Sequence, residues 1–222
     1  MLRIEGLRVR RGARRILDGL SLRIGRGEPF AILGESGSGK TTLLYAAAGL
    51  LPIEGGSIEI LGEPLESLGR RERARRLGLV FQDHQLFPHL TARENVLLAP
   101  RLQEREGAPE LARRLFEELR IDGLEGRRPH ELSGGQRQRV AIARSLVLEP
   151  ALLFFDEPSA ALDAQTSEEL ADLLLHINER TQIVVVSHDL GFVERCCGRG
   201  IQLAAGTIAN EGTLAEILPP AG

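Results

Sequence analysis

Lysine is nearly absent from this chain of 222 residues. Of its 28 basic side chains 27 are arginine, and the single ammonium is Lys40. Arginine's planar fork does not replace a compact point charge in a tight anion nest, so a composition that takes arginine everywhere else points to a chemical reason at Lys40. Cysteine is as scarce: Cys196 and Cys197 are the two, and they are neighbours. They offer no disulfide framework, which suits a reducing compartment, and with no second Cys/His cluster they read as packing residues. Neither charge dominates. The net charge of -3 gives no global basic field, so nucleic acid is not expected as a partner. No stretch approaches the roughly 18 apolar residues of a spanning helix, and Met1-Leu2-Arg3-Ile4-Glu5 holds no apolar signal core, so the chain is expected to be soluble and cytoplasmic.

With 42% hydrophobic and 27% charged residues, the chain can bury a core of ordinary size, and its length fits one large domain or a domain with a lobe. Short apolar runs alternate with amphipathic stretches, the pattern of an α/β fold with a mainly parallel sheet. Leu2 to Arg10 and Ile16 to Ile24 alternate about a Gly12 turn and predict an antiparallel β lobe. Buried strands are expected at 29–33, 57–61, 77–81, 151–155 and 182–186, and two short strands around Gly206. Helices are expected over 41–50, 109–119, 166–180 and from Ser133 to about Leu148. Thr91 and Glu94 have capping-box spacing and predict another through Leu98. Five arginines within residues 70–76 read as a solvated helix face rather than a membrane or partner surface.

Three local patterns carry chemistry. Gly34-Glu35-Ser36-Gly37-Ser38-Gly39-Lys40-Thr41, followed by Thr42, stands between an expected strand and helix. In that setting backbone N–H groups close around phosphate oxygens, the helix N-terminus adds positive potential, Lys40 reaches the β and γ phosphates, and the Thr41 hydroxyl can bind Mg²⁺. The apolar run 151–155 then ends in Asp156-Glu157. Adjacent side chains on a strand diverge, so the two acids take divided roles: Asp156 at the metal, Glu157 at the attacking water. Finally, Leu132-Ser133-Gly134-Gly135-Gln136 precedes Asp156 by 23 residues, counted from Ser133. Its Ser133 and Gln136 have capping-box form, a plain helix start taken alone.

Together these residues resemble the ABC-type ATPases, and the resemblance covers essentially the whole chain. It implies a P-loop core with an N-terminal β lobe over about 1–90 and 150–222, and a helical subdomain over about 91–149 that carries the signature. It implies further that Leu132 to Gln136 face the ATP held by a second subunit in a head-to-tail dimer, formed with a copy or a related ATPase. Gln82 matches the glutamine that meets Mg²⁺ and the attacking water, with the loop after it against a membrane partner. Asp163 matches the loop linking the two sites, and His188 the histidine at the γ-phosphate. The expected function is ATP hydrolysis driving separate transmembrane permease subunits from the inner face of the cell membrane. Polar amino-acid importers, served in some cases by an external solute-binding protein, are the nearest in motif detail. Lipoprotein- or lipid-handling and export systems come second, and a soluble ATPase acting on nucleic acid or ribosomes third.

One position departs from the family, which commonly stacks an aromatic on adenine just before the first hairpin turn. Arg11 stands there, and the first aromatic is Phe30. Either the guanidinium lies on the purine face or apolar contact holds the base. For Lys40 the consequence is direct. Lys40→Ala is expected to abolish ATP turnover and weaken nucleotide binding, and Lys40→Arg to fail as well; steady-state hydrolysis near normal in Lys40→Arg would remove the phosphate role.

Overall fold

The computed structural model describes residues 1–160 and 162–218. Two sheets organise them. The first is antiparallel, built from β1 (Leu2–Arg11), β2 (Arg14–Ile24), β4 (Gly55–Ile60) and the two-residue β5 (Glu63–Pro64), in the order β2-β1-β4-β5. The second contains β3 (Phe30–Gly34), β6 (Leu77–Val80), β7 (Leu152–Asp156), β8 (Gln182–Ser187), β9 (Arg199–Ala204) and β10 (Thr207–Thr213), in the order β10-β9-β3-β8-β7-β6. Only the β9–β10 hairpin pairs antiparallel there; the other four pairings are parallel. Helix α1 (Lys40–Ala47) follows β3, and α2 (Arg70–Arg76) precedes β6. Helices α3 (Ala92–Leu102), α4 (Ala108–Glu118) and α5 (Gly134–Leu146) lie between β6 and β7, while α6 (Ala164–Asn178), α7 (Leu190–Cys196) and the one-turn α8 (Leu214–Ile217) complete the order.

The parallel strands are apolar on both sides because each face is covered. Successive side chains point to opposite faces, so Phe30, Ile32, Phe154, Val184 and Val186 pack with α1 and the β lobe. Leu33, Phe155, Ile183 and Val185 pack with α3 to α7. Phe154 and Phe155 are both fully buried, each contributing roughly 1.5–3 kcal/mol on the transfer scale.

Helix starts follow the expected chemistry. Thr91 and Ser133 both form reciprocal capping boxes, with Glu94 and Gln136. Boundaries differ by a few residues: α1 begins at Lys40 and stops before Gly49, which lies at φ 67°. The hairpin near the C-terminus runs longer than expected, through Thr213. Helix α7 was not legible as apolar periodicity, being only two turns long; its signal is Asp189, whose carboxylate accepts from the Phe192 N–H as N-cap. The arginine-rich α2 buries none of its residues, as a solvated helix should. Its Arg76 pairs with Glu63 and Glu72, and Arg73 donates to the Gly49 carbonyl. Cys196 and Cys197 are buried with sulfurs 3.7 Å apart, and the Cys196 hydrogen bond together with burial pushes the Cys197 thiol up.

Among the wholly enclosed polar side chains is one that holds a loop. Asn95 of α3 accepts from the Phe87 N–H at 2.8 Å and donates to the carbonyls of Phe87, Leu90 and Thr91. Its amide replaces water for the loop that leads into α3. Asn95→Ala strands a buried N–H and is expected to cost about 2–4 kcal/mol of stability, measured by urea unfolding; a loss under about 0.5 kcal/mol would mean that water enters and replaces the amide.

Candidate functional site

The strand order β3-β8-β7-β6 sets four loops side by side at one sheet edge. Leu33 pairs with Ser187, Val186 with Asp156, and Val80 with Phe155. The turn after β3, His188 after β8, Glu157 after β7 and Gln82 after β6 therefore meet at the carboxyl ends of parallel strands, where α/β sheets bind ligands. A cavity of about 790 Å³ opens there, with Gly37, Lys40, Thr41, Thr42, Gln82, Glu157 and His188 among its walls.

The turn itself is shaped by glycine. Gly34, Gly37 and Gly39 have φ of 150°, 81° and 111°. A Cβ at Gly39 would stand 2.9 Å from Leu17 of the β lobe, and one at Gly34 would strike the Leu203 carbonyl. Glu35 and Ser36 are exposed on this turn, while Ser38 is buried and its hydroxyl has no partner, an orphaned polar atom beside an anion nest. Lys40 is buried too. Its Nζ donates to the carbonyls of Gly34 at 2.7 Å and Glu35 at 3.1 Å and lies 3.6 Å from Glu157 Oε1.

The two acids divide as the alternation requires. Asp156 shares the Phe154 face and meets α1, where Thr41 Oγ1 donates to its Oδ1 at 3.3 Å. Burial raises its pKa first and Glu157 adds to that, against the Thr41 hydrogen bond and Lys40. Glu157 leaves the strand with φ 48°, a left-handed backbone rarely taken by a non-glycine residue. The turn points its carboxylate toward β8. There Oε2 accepts from the Ser187 hydroxyl at 3.3 Å and the His188 N–H at 3.2 Å, and lies 2.8 Å from His188 Nδ1. Glu157 is thus held between an ammonium and an imidazole.

The sequence missed part of this setting. Ser187 fixes Glu157, and Asp189 accepts from the Ser159 hydroxyl at 2.8 Å, tying the turn after β8 to the one after β7. Arg14 and Ile16 line the cavity with Arg11. Arg11 and Arg14 face each other across the β1–β2 hairpin, which the register about Gly12 foretells.

Two predicted groups stand apart from the cavity. Ser133 and Gly134 are exposed, Gly135 and Gln136 half-buried, and Leu132 buried beneath them; none lines this cavity. Asp163 is exposed and caps α6 by accepting from the Thr166 N–H and hydroxyl, which holds its pKa low. Ala161, between Ser159 and Asp163, lies outside the described residues.

The chain that carries this cavity has counterparts among known proteins. The family described as ABC transporter matches residues 17–160. This chain belongs to that family. The glutamate transport ATP-binding protein GluA of Corynebacterium glutamicum is 39% identical over 217 residues, 95% of this chain and 90% of that protein. The sulfate/thiosulfate import ATP-binding protein CysA of Bordetella parapertussis is 40% identical over 224 residues, and the chain spans 63% of its length. The ATP-binding cassette MJ0796, solved as a dimer in a post-hydrolysis state with ADP and Pi, superposes with a TM-score of 0.85 at 32% identity, covering 96% of this chain and 99% of that one. The ABC chain described here is an ATP-binding and ATP-hydrolysing subunit, and no helix among its described residues is long and apolar enough to cross a membrane.

The raised pKa of Asp156 gives a test on the unliganded fold. Below the ordinary carboxylate range the group is protonated in both folded and unfolded chains, so its burial costs nothing electrostatically. As pH rises through the folded-state pKa, the buried charge becomes a penalty. Asp156→Asn is therefore expected to raise the melting temperature of the nucleotide-free protein at pH 7, with the gain fading toward pH 4, while ATP turnover falls. A melting temperature lowered at pH 7 would mean that the charged carboxylate stabilises the fold.

Proposed function

We propose that this ABC subunit powers the import of amino acids or similar small solutes through separate transmembrane permease subunits. It works from the inner face of the cell membrane, in some assemblies with an external solute-binding protein. The similarity to GluA over nearly the full length of both chains supports that cargo class. One observation carries the mechanism: Glu157 is fixed between Lys40 and His188 at the mouth of the phosphate nest, while Ser133 to Gln136 are not among the residues that line it. A single chain therefore holds a P-loop without a signature beside it, and the site is completed by a second subunit, a copy or a relative, set head to tail.

In this reading the N–H groups of the turn 34–39 and the Lys40 ammonium take the phosphates of ATP, with Thr42 behind them. Lys40 exchanges its loop carbonyls for phosphate oxygens, and the Ser38 hydroxyl gains the partner it lacks. The side chains fit Mg²⁺: the Thr41 hydroxyl, the Asp156 carboxylate and the Gln82 amide are hard oxygen donors, and that ion takes one or two carboxylates alongside phosphate. Once bound it would offset the charge on the phosphate oxygens. Glu157 orients the attacking water and accepts its proton at Oε. His188 steadies that carboxylate and contacts the γ-phosphoryl group, and Ser133 of the opposite subunit approaches the same group from the other side. Asp163 links the two sites, and Arg11 lies over the base.

The arrangement divides into a core with a β lobe, residues 1–90 and 150–222, and a helical subdomain, residues 91–149, that presents the signature. Closing the two subunits around ATP assembles the site, and opening them after hydrolysis moves the membrane subunits.

Glu157→Gln keeps the shape of the side chain and removes the proton acceptor. It is expected to retain ATP affinity, to lower turnover by about 100-fold or more, and to trap an ATP-dependent dimer on size exclusion. Ser133→Arg added to that variant should abolish the dimer. A Glu157→Gln dimer that tolerates Ser133→Arg would overturn the shared site.

A further inference from the structure

The loop after Gln82 is held in an unusual way. His84 and Gln85 are consecutive non-glycine residues with φ of 60° and 45°, an uncommon left-handed pair that histidine enters more readily than glutamine. Their carbonyls point to the same place. Arg144, in the last turn of α5, donates Nη1 to the Gln85 oxygen at 2.6 Å and Nη2 to the His84 oxygen at 2.7 Å. A planar fork matches two acceptors at fixed spacing, and both bonds are charge-assisted. The next residue of the helix, Ser145, donates to the Leu79 carbonyl of β6, so the same turn of α5 also fixes the strand that feeds the loop.

Beyond Gln85 the loop hangs on Asn95 of α3, and before Gln82 the ring of Phe81 lies edge-on to Tyr45 of α1 at 5.9 Å. Side-chain anchors therefore stand on either side of Gln82, and none of the hydrogen bonds among the described residues engages the Gln82 side chain itself. Its position is set by its neighbours. On the N-terminal side that neighbour is Phe81, and on the C-terminal side the nearest with a side-chain anchor are His84 and Gln85.

We propose that Arg144 is a positioning residue for Gln82: its fork holds His84 and Gln85 in the left-handed conformation, and so ties the placement of the Gln82 amide in the nucleotide cavity to the placement of α5. Helix α5 carries Ser133 at its N-cap, roughly 16 Å along the axis from Arg144. One rigid element thus bears both the group offered to the opposite subunit's nucleotide and the clamp on this subunit's own Gln82. A change felt by Ser133 reaches Gln82 without passing through the sheet. The inference rests on the role given above to Gln82.

Arg144→Lys keeps the charge and the helix but loses the fork, and Arg144→Ala loses both donors. Amide hydrogen exchange on the nucleotide-free full chain reads the loop without any turnover. Exchange over residues 83–86 is expected to quicken by about tenfold or more in both variants, with the amides of α3 and α5 unchanged. ATP hydrolysis should then need several-fold more Mg²⁺ for half-saturation, while binding of ATP in EDTA stays as in the parent. Exchange unchanged over 83–86, or quickened along all of α5, would overturn the clamp. A loosened loop with an unaltered Mg²⁺ requirement would overturn the positioning of Gln82. Gln82→Ala with normal turnover would retire the role of Gln82, and the proposal with it.

Discussion

The alternation of side chains along β7 constrains the site more than any other feature. Phe154 and Phe155 must each enter a different apolar layer, because the strand has helices or the β lobe on both faces. That requirement fixes the register, and with it sends Asp156 toward α1 and Thr41. The chain cannot then deliver the next carboxylate to the cavity by continuing as a strand. It turns instead through a left-handed Glu157, whose N–H bonds to the Val186 carbonyl at 2.8 Å and whose side chain is gripped by the turn after β8. Two apolar residues therefore decide where two acidic ones act. A one-residue slip would exchange Asp156 and its neighbour between faces and bury the wrong charge.

Lys40 shows the same dependence at shorter range. Its ammonium sits among loop carbonyls because three glycines at positive φ let the backbone curl, and at two of them, Gly34 and Gly39, a Cβ would strike Leu203 or Leu17. A buried ammonium is tolerable only with such partners, and these are carbonyls that a stronger anion can displace. The charges of the site are thus offset internally by contacts that ligand oxygens can replace.

Much of this was legible in the sequence because the informative signals are local. A glycine turn between strand and helix, a capping Ser133 with Gln136, and an acid ending an apolar run each announce their geometry within a few residues. The Thr91 and Ser133 caps fall where their spacing puts them, and the placing of Asp156 on the Phe154 face follows from strand periodicity, though the turn at Glu157 does not. What escaped was non-local or short. The strand order that sets β8 between β3 and β7 joins residues more than a hundred positions apart, and no pattern along the chain encodes it. Ser187, Asp189 and Ser159 carry no signal of their own along the chain; their value lies in whom they meet across two strand ends. Helix α7 was too short for periodicity to show. Arg144 was one of 27 arginines, and composition gives no hint that its partners are the carbonyls of His84 and Gln85.

Those partners have a consequence for divergence. Both Arg144 and Asn95 recognise the loop after Gln82 mainly through main-chain oxygens, which every amino acid supplies alike. The exposed side chains of residues 87–89 are consequently spared from maintaining the loop's outline, whereas Leu86 packs against the core. Phe87 is already 43% exposed, spending its ring on contact with His89 rather than on the core. A lineage can rewrite the lettering of this segment to suit a new neighbour and keep the typeface.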